Sequence, residues 1–364
     1  MYLVDCGKAI LSGLRSDIVE SKTRRLGFFL RRYLAASFLF SLIICYYVQY
    51  MSRALLLFSG GLDSLLSYKI LELQSVDVTA IFFKTYFFSQ ERAEEIAKAN
   101  NMKLRVEDIS KDHSQIVKKP KFGFGKRRNP CVDCHMLMVK KAKEIMEKEK
   151  FDFIATGEVL GQRPMSQNVG ALKKIEQELG LENKIVRPLS AKNLPPTEAE
   201  EQGSVSREKL YGIRGRGRGA QLELLKEFCI RNYQSPAGGC VLTDPAFSRR
   251  LVDLAERWPD YTGEDITLLR VGRIFWRDKN MVVIGRDQEE CEKLHSLALL
   301  TDYVVDLLEV PGPTTIIRGK EVNEEALDYA IKLTIKYAHK AEGRNAVKVK
   351  IKGPEGERVR EIKK

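Results

Sequence analysis

The segment Ser59-Gly60-Gly61-Leu62-Asp63-Ser64 carries the clearest chemical signal in the chain. It follows an apolar run at 54–58 and opens an amphipathic stretch at 65–71. A strand that turns into a helix over two glycines aims backbone N–H groups and a helix N-terminus at one point, so the pattern predicts an anion-binding site. The glycines let a ligand approach the backbone, the serines add hydroxyl donors, and the aspartate can hold a metal ion. The alternative is an ordinary Gly-Gly turn capped by the aspartate and the second serine.

Three cysteines have spacings that suit sulfur or metal chemistry. Cys131 and Cys134 form a C-x-x-C segment, and Cys240 ends a loop at 235–240. In a reducing compartment a C-x-x-C segment often indicates metal, cluster or redox chemistry. The alternatives are half of a structural zinc site for the pair and a small buried side chain for Cys240. Cys229 lies on a helical stretch and is predicted to belong to the core.

A third polar segment follows the apolar stretch at 153–156. It contains Thr156-Gly157-Glu158, then Gly161-Gln162, and it ends at Ser166-Gln167. Parallel sheets bind their ligands beyond the carboxyl ends of the strands. We therefore expect this loop, the glycine-rich segment and the C-x-x-C pair to converge at one edge of a sheet.

Composition narrows the class of protein. The chain has 364 residues, a formal net charge of +12 and seven cysteines. This length predicts two or three domains, the charge favours a polyanionic partner, and few cysteines in a long chain argue against a secreted disulfide framework. We expect a cytoplasmic protein.

Two loops concentrate positive charge. The basic loop, residues 118–128, has six cations with Phe122 and Phe124 between them, and residues 214–219 alternate arginine with glycine. Charged loops are usually solvated surface, but aromatic rings among cations favour contact with unpaired RNA.

The pattern of apolar runs predicts an α/β fold with a doubly wound parallel sheet over residues 51–244, and a smaller C-terminal α+β domain over 245–364. In the first domain we expect strands at 54–58, 78–83, 104–108 and 153–156, and helices at 63–73, 89–100 and 134–148. In the second we expect helices at 247–257, from 289 and at 324–339, and strands at 266–276, 281–285, 314–318 and 346–352.

Residues 1–50 are set apart from the rest. Residues 34–50 are almost wholly apolar and follow two arginines, as in a signal anchor. A run of about 17 residues is at the short limit for a spanning helix. A start codon assigned too far upstream is the favoured interpretation, and a membrane anchor is the alternative. We expect no stable membrane association unless this segment is real.

The chain resembles the PP-loop ATP pyrophosphatases at these motifs. The glycine-rich segment together with the Thr-Gly-Glu, Gly-Gln and Ser-Gln run is similar to the catalytic domain of tRNA 4-thiouridine synthetases. Asn129-Pro130-Cys131 with Cys134 is similar to the tRNA 2-thiouridylases, and a C-x-x-C with one distant cysteine resembles the cluster-dependent tRNA thiolases. The resemblance covers residues 51–244 and implies an adenine nucleotide alpha hydrolase-like fold. The C-terminal domain is weakly similar to the RNA-binding domain of ribosome-associated quality-control proteins.

The resemblance implies an ATP-dependent sulfurtransferase that adenylates and thiolates a uridine in tRNA. ATP and Mg²⁺ would bind at Ser59, Gly60, Gly61, Asp63, Ser64, Gly157 and Gln162. Cys131, Cys134 and Cys240 would deliver sulfur, either as ligands to three irons of a 4Fe–4S cluster or as a persulfide released through a disulfide. The sulfur would come from a cysteine desulfurase, a carrier or sulfide, and a homodimer is one possible assembly.

Three departures from these families leave the sulfur source and the target nucleotide open. The 364 residues contain neither the RNA-binding module of 4-thiouridine synthetases nor a rhodanese-like domain, and Cys240 lies in an unusual Gly-Gly-Cys context. Two other functions stay open: a PP-loop ATP pyrophosphatase with a small-molecule substrate, and a nucleotide- and RNA-binding protein without catalysis.

Overall fold

The computed structural model describes residues 51–125, 127–230, 232–233 and 240–363. These residues form two β-sheets with helices packed against them. In that part of the chain, no helix is both long and apolar enough to cross a membrane. The apolar segment at 34–50, Lys126 and the residues just before Cys240 lie outside the described residues.

The first sheet has five parallel strands in the order β3-β2-β1-β4-β5. The strands are β1 (Arg53–Leu57), β2 (Asp77–Lys84), β3 (Leu104–Asp108), β4 (Phe153–Thr156) and β5 (Ile185–Val186). The helices are α1 (Leu62–Glu72), α2 (Glu91–Ala99), α3 (Ser110–Lys118), α4 (Cys131–Glu149), α5 (Val169–Leu179), α6 (Glu198–Glu201) and α7 (Gly219–Glu227). The expected doubly wound α/β fold is confirmed, and its strand order reverses between β1 and β4, where such sheets bind ligands.

Strand β1 is buried on both faces. Ala54 and Leu56 pack into one apolar cluster with Leu66 of α1, whereas Leu55 packs into a second cluster with Val139 of α4. Successive side chains of a strand point to opposite faces, so a continuous apolar run is what a central parallel strand requires. This packing fixes the end of β1, and with it the start of the glycine-rich turn.

The second sheet has six antiparallel strands in the order β11-β10-β8-β9-β7-β6. The strands are β6 (Arg273–Arg277), β7 (Asn280–Ile284), β8 (Tyr303–Leu307), β9 (Thr315–Arg318), β10 (Ala346–Gly353) and β11 (Gly356–Lys363). The helices are α8 (Pro245–Arg257), α9 (Gly263–Leu268), α10 (Gln288–Leu297) and α11 (Glu324–Lys336). The expected smaller α+β unit is therefore present.

Two expectations are wrong. Part of the strand expected at 266–276 is helix α9, because Thr262 and Asp265 form a capping box that starts a helix, and the strand begins only at Arg273. Cys229 is not a core residue. It follows the end of α7 in a left-handed conformation with φ of 53°, and it is exposed.

One apolar cluster joins the regions of the two sheets. Phe87, which follows β2, packs edge-on against Phe247 of α8 with 6.0 Å between the ring centroids. Gly263, at the start of α9, lies against the ring of Tyr86, where a Cβ would overlap the ring. The C-terminal helices therefore cover apolar surface of the first sheet's region as well as their own.

Candidate active site

The glycine-rich segment forms the turn between β1 and α1. Gly60 has a φ of 73°, the left-handed conformation that glycine adopts without strain. The hydroxyl of Ser64 donates to the carbonyl of Gly61 at 2.9 Å and lies 3.3 Å from the hydroxyl of Ser59. Gly61 is the N-cap of α1, and among the described residues no side chain caps this helix end. The N–H groups of the first turn therefore remain available to an anionic ligand.

Two carboxamides hold the carboxylate of Asp63. Gln162 Nε2 donates to Asp63 Oδ2 at 2.7 Å, and Gln221 Nε2 donates to Asp63 Oδ1 at 3.4 Å. Gln221, on α7, is buried, and its Oε1 has no hydrogen-bond partner within the described residues. Asp63 thus does not cap the turn. It is held as an oriented carboxylate beside a helix N-terminus, which suits a ligand to a hydrated Mg²⁺.

Gly157 brings the end of β4 against the glycine-rich turn. A Cβ at Gly157 would lie 2.5 Å from the backbone nitrogen of Ser64 and 2.6 Å from its Cα. Real Cβ atoms do not approach backbone atoms so closely, so any other residue would displace the turn. The sequence-based prediction that Gly157 and Gln162 belong to the nucleotide site stays a prediction, but both residues contact the predicted nucleotide loop.

The three cysteines are free thiols that interact with one another. Cys131 and Cys134 lie in the first turn of α4, and a helix N-terminus ordinarily lowers a thiol pKa. Burial outweighs that effect and raises the pKa of both, most strongly for Cys134, where Cys240 and Cys131 add to the rise. Burial likewise raises the pKa of Cys240 to about 11. The thiols are therefore protonated at neutral pH in the free protein.

A buried histidine contacts the innermost thiol. His113 Nε2 lies 3.1 Å from Cys134 Sγ, and the His113 Nδ1 has no partner within the described residues. Burial lowers the pKa of His113 to about 4, so the ring is neutral at pH 7. Nothing in the sequence pattern singled out this residue, which lies 21 positions before Cys134.

Neighbouring residues of one loop link the thiols to the nucleotide loop. Gln162 contacts Asp63, and the next residue, Arg163, lowers the pKa of Cys131, Cys134 and Cys240 by its positive charge. Arg163 is exposed. The loop after β4 therefore contacts the nucleotide loop through Gln162, and its Arg163 carries a positive charge that favours the thiolate forms, although burial outweighs it.

A buried ion network makes a second link. Glu158 accepts hydrogen bonds from Thr156 at 3.0 Å and from Arg187 at 3.0 Å, and it lies 3.1 Å from His135 Nδ1. Arg187 also pairs with Glu176 at 2.6 Å. Burial raises the pKa of Glu158, but Arg187 and His135 outweigh it and hold the pKa at about 2. His135 is on α4 and Glu158 follows β4, so the pair fixes the helix of the thiols to the strand end at the nucleotide loop.

Mg²⁺ and an iron–sulfur cluster would use different residues of the site. Mg²⁺ binds through one or two carboxylates together with substrate phosphates, and the Asp63 carboxylate supplies one. Three thiolates suit a 4Fe–4S cluster with one open iron. However, no group of three or more His, Cys, Asp or Glu side chains in the described ranges is placed to hold a metal ion.

Two protein families match parts of the chain. Residues 50–193 match the family described as thiamine biosynthesis protein (ThiI), and residues 272–364 match the NFACT protein RNA binding domain. The chain therefore combines a ThiI-type PP-loop domain with an NFACT-type RNA-binding domain. No curated protein matches the chain.

Two solved structures are similar to parts of the chain. One is a predicted subunit of a tRNA methyltransferase from Methanocaldococcus jannaschii DSM, with 17% identity and a TM-score of 0.37 over 59% of this chain and 91% of that one. The other is a 4-thiouridine synthetase in complex with RNA and ATP, with 21% identity and a TM-score of 0.34 over 60% of this chain. The chain spans 52% of the length of that synthetase.

Proposed function

We propose that the protein is an ATP-dependent sulfurtransferase that activates and thiolates a uridine in tRNA. The ThiI-type domain supports ATP use and tRNA thiolation, and the NFACT-type domain supports RNA binding. The observation that carries the proposal is the contact of 3.1 Å between His135 and Glu158, which joins the helix of Cys131 and Cys134 to the strand end beside the nucleotide loop. Adenylation and sulfur transfer act on the same uridine, so an enzyme that performs both has to hold the two groups of residues together.

In the first step, ATP binds at the glycine-rich turn with its phosphates at the N-terminus of α1. The backbone of Gly60 and Gly61 would face the phosphates, while the hydroxyl of Ser64 holds the turn in shape by donating to the carbonyl of Gly61. The uridine carbonyl oxygen attacks the α-phosphorus, the α–β bond breaks, and pyrophosphate leaves. Mg²⁺ held by Asp63 would neutralise the charge on the leaving group. The first turn of α1 stabilises the same charge through its N–H groups.

In the second step, a persulfide sulfur replaces the oxygen. Cys131 is half-buried and Cys134 is buried against His113, so we assign the persulfide to Cys131. Its terminal sulfur attacks the activated carbon, and AMP leaves with the oxygen. The sulfur of Cys240 then attacks the Cys131 sulfur and gives up its proton to the departing thiouridine, which frees the thiocarbonyl and leaves a Cys131–Cys240 disulfide. A dithiol reductant must restore the two thiols before the next turnover.

The test is thiolation in vitro. Purified protein, unmodified tRNA, ATP and a persulfide donor should give AMP, pyrophosphate and one thiolated uridine, identified by mass spectrometry of the nucleosides. Release of AMP and pyrophosphate with a small acceptor but not with tRNA would indicate a small-molecule substrate. ATP binding without pyrophosphate release would indicate a protein without catalysis.

The route of sulfur has its own test. Protein purified without oxygen and reconstituted with iron and sulfide should stay colourless if Cys131 works as a persulfide. A brown protein that absorbs at about 400 nm and is active only in this form would contradict the persulfide route. It would indicate a 4Fe–4S cluster on Cys131, Cys134 and Cys240.

A further inference from the structure

A cleft of about 290 Å³ opens between the basic loop and helix α8. Lys118 and Arg128 line it from the first sheet's region, and Leu251, Glu256 and Tyr261 line it from the C-terminal region. Its volume is close to the lower end for small-ligand pockets, which suits a nucleotide-sized group. None of these residues belongs to the nucleotide loop or to the thiol site.

Two cations face this cleft without a carboxylate partner. Lys118 Nζ donates to the backbone carbonyl of Tyr261 at 2.6 Å and lies 4.4 Å from the centroid of that ring. The guanidinium of Arg128 lies 5.0 Å from the ring centroid of Phe124. Across the described part of the chain, neither cation forms an ion pair. Two unpaired positive charges in a cleft leave a place for an anionic group.

The rest of the lining suits a nucleoside. Ala255 and Pro259 give the cleft accessible apolar surface, against which a base or a ribose can pack. Glu256 adds an exposed carboxylate that can accept a hydrogen bond from a base N–H group. An anion, a flat apolar body and N–H donors together describe one nucleotide, and a base is free to enter a cleft only where the RNA is unpaired.

The basic loop connects the cleft to the segments that carry the cysteines. Arg128 is three positions before Cys131 in the sequence. Its neighbour Arg127 donates to the carbonyl of Thr243 at 2.5 Å, which ties the basic loop to the segment that begins with Cys240. The RNA-binding match starts at residue 272, beyond α8.

We propose that this cleft binds one nucleotide of an unpaired RNA segment, with its phosphate between Lys118 and Arg128. The proposal rests on the proposed function, because it names where the tRNA substrate is held. The bound nucleotide would sit next to the one that is thiolated, so the cleft would select tRNA sites with an unpaired flank.

The test compares two cations of the same loop. Arg128→Ala removes a charge that lines the cleft, and Lys119→Ala removes an exposed charge that does not. The dissociation constant of the full chain for a single-stranded RNA oligonucleotide is measured between 50 and 200 mM salt, and thermal unfolding confirms that both variants are folded. Arg128→Ala should weaken binding about tenfold and reduce the salt slope by about 0.7, as for one lost phosphate contact on a single strand. Lys119→Ala should weaken binding about twofold at most, as expected for a screened surface charge.

Equal losses in the two variants would overturn the proposal, because the loop would then act only as diffuse charge. An equal loss of duplex RNA binding in Arg128→Ala would also overturn it, because the cleft would then not require an unpaired base. These measurements need neither ATP nor sulfur. Failure of the wild-type protein to thiolate tRNA would refute the proposed function and leave the binding comparison intact.

Discussion

Replacing Gly157 by alanine should impair the ATP site while the protein remains folded. The added Cβ would lie 2.5 Å from the nitrogen of Ser64, whereas ordinary contact begins at 3.4 Å. The turn must therefore recede by the difference, roughly 0.9 Å, and both opposing atoms belong to the backbone, so no rotamer change can relieve the contact. A misplacement of about 1 Å in a reacting group lowers a rate by about 10²-fold, or roughly 2.7 kcal/mol in transition-state stabilisation.

The assay is exchange of labelled pyrophosphate into ATP in the presence of tRNA, with thermal unfolding measured on the same preparations. We expect Gly157→Ala to lose about 10²-fold in exchange rate while it still unfolds cooperatively. Gly217→Ala is the matched control, because a Cβ at Gly217 meets no atom within 4 Å. Exchange by Gly157→Ala at the wild-type rate would refute the argument that this contact positions the nucleotide loop.

Three further outcomes follow from the site. Gln162→Leu should weaken MgATP binding more than Gln221→Leu, since the contacts with Asp63 are 2.7 Å and 3.4 Å, and calorimetric titration showing the reverse order would contradict this. Glu158→Gln should lower the free energy of unfolding by about 2 kcal/mol at pH 7 in urea titrations, because it removes one of the two carboxylates that pair with the buried Arg187 and leaves Glu176 as the other. The folded-state pKa of Glu158 is about 2, below its usual value of 4.5. The stability that ionised Glu158 contributes is therefore complete above pH 4.5 and is lost as the pH falls toward 2. A difference between wild type and variant that stays constant down to pH 2 would contradict the ion network. In protein without an iron–sulfur cluster at pH 8, iodoacetamide should modify the exposed Cys229 before Cys134 and Cys240, because burial raises the pKa values of the latter two. Peptide mass spectrometry that gives the opposite order would show that these two thiols are not shielded.

The first sheet could be predicted from sequence because its central strands are buried on both faces. Such strands appear as continuous apolar runs, and those at 104–108 and 153–156 were predicted to the residue. The second sheet was harder. Strand β11 is rich in charged residues and largely exposed, so it shows no continuous apolar run. It is held by pairing with β10 and by ion pairs from Arg358 and Arg360 to α11, neither of which the sequence pattern reveals.

The error at 266–276 has a local cause that the sequence does contain. Thr262 is followed three residues later by Asp265, and this spacing is a helix-start signal. The apolar run that follows suits either a strand or a helix, so only the capping box distinguishes them.

The residues of the candidate site also fall into those that the sequence identifies and those that it does not. Asp63, Gly157 and Gln162 stand in motifs and could be named from the sequence. Gln221 could not, because it reaches Asp63 across 158 residues from a helix without a motif. Arg163 lies in the polar segment after β4, but the effect of its charge on the thiol pKa values depends on how this loop folds relative to α4.

The apolar cluster that contains Phe87 and Phe247 limits how the RNA-binding domain can be tested. Removing everything after Asp244 would delete Phe247 and expose Phe87 and Val117, which pack into the same cluster as Leu251 and Leu254. Loss of tRNA binding in such a truncation would not separate RNA contact from damage to the first domain. Substitution of exposed cations on β10, such as Lys348 and Lys352, leaves the cluster intact. A fall in tRNA affinity with unchanged ATP affinity in that variant would then assign the RNA contact to the second sheet itself.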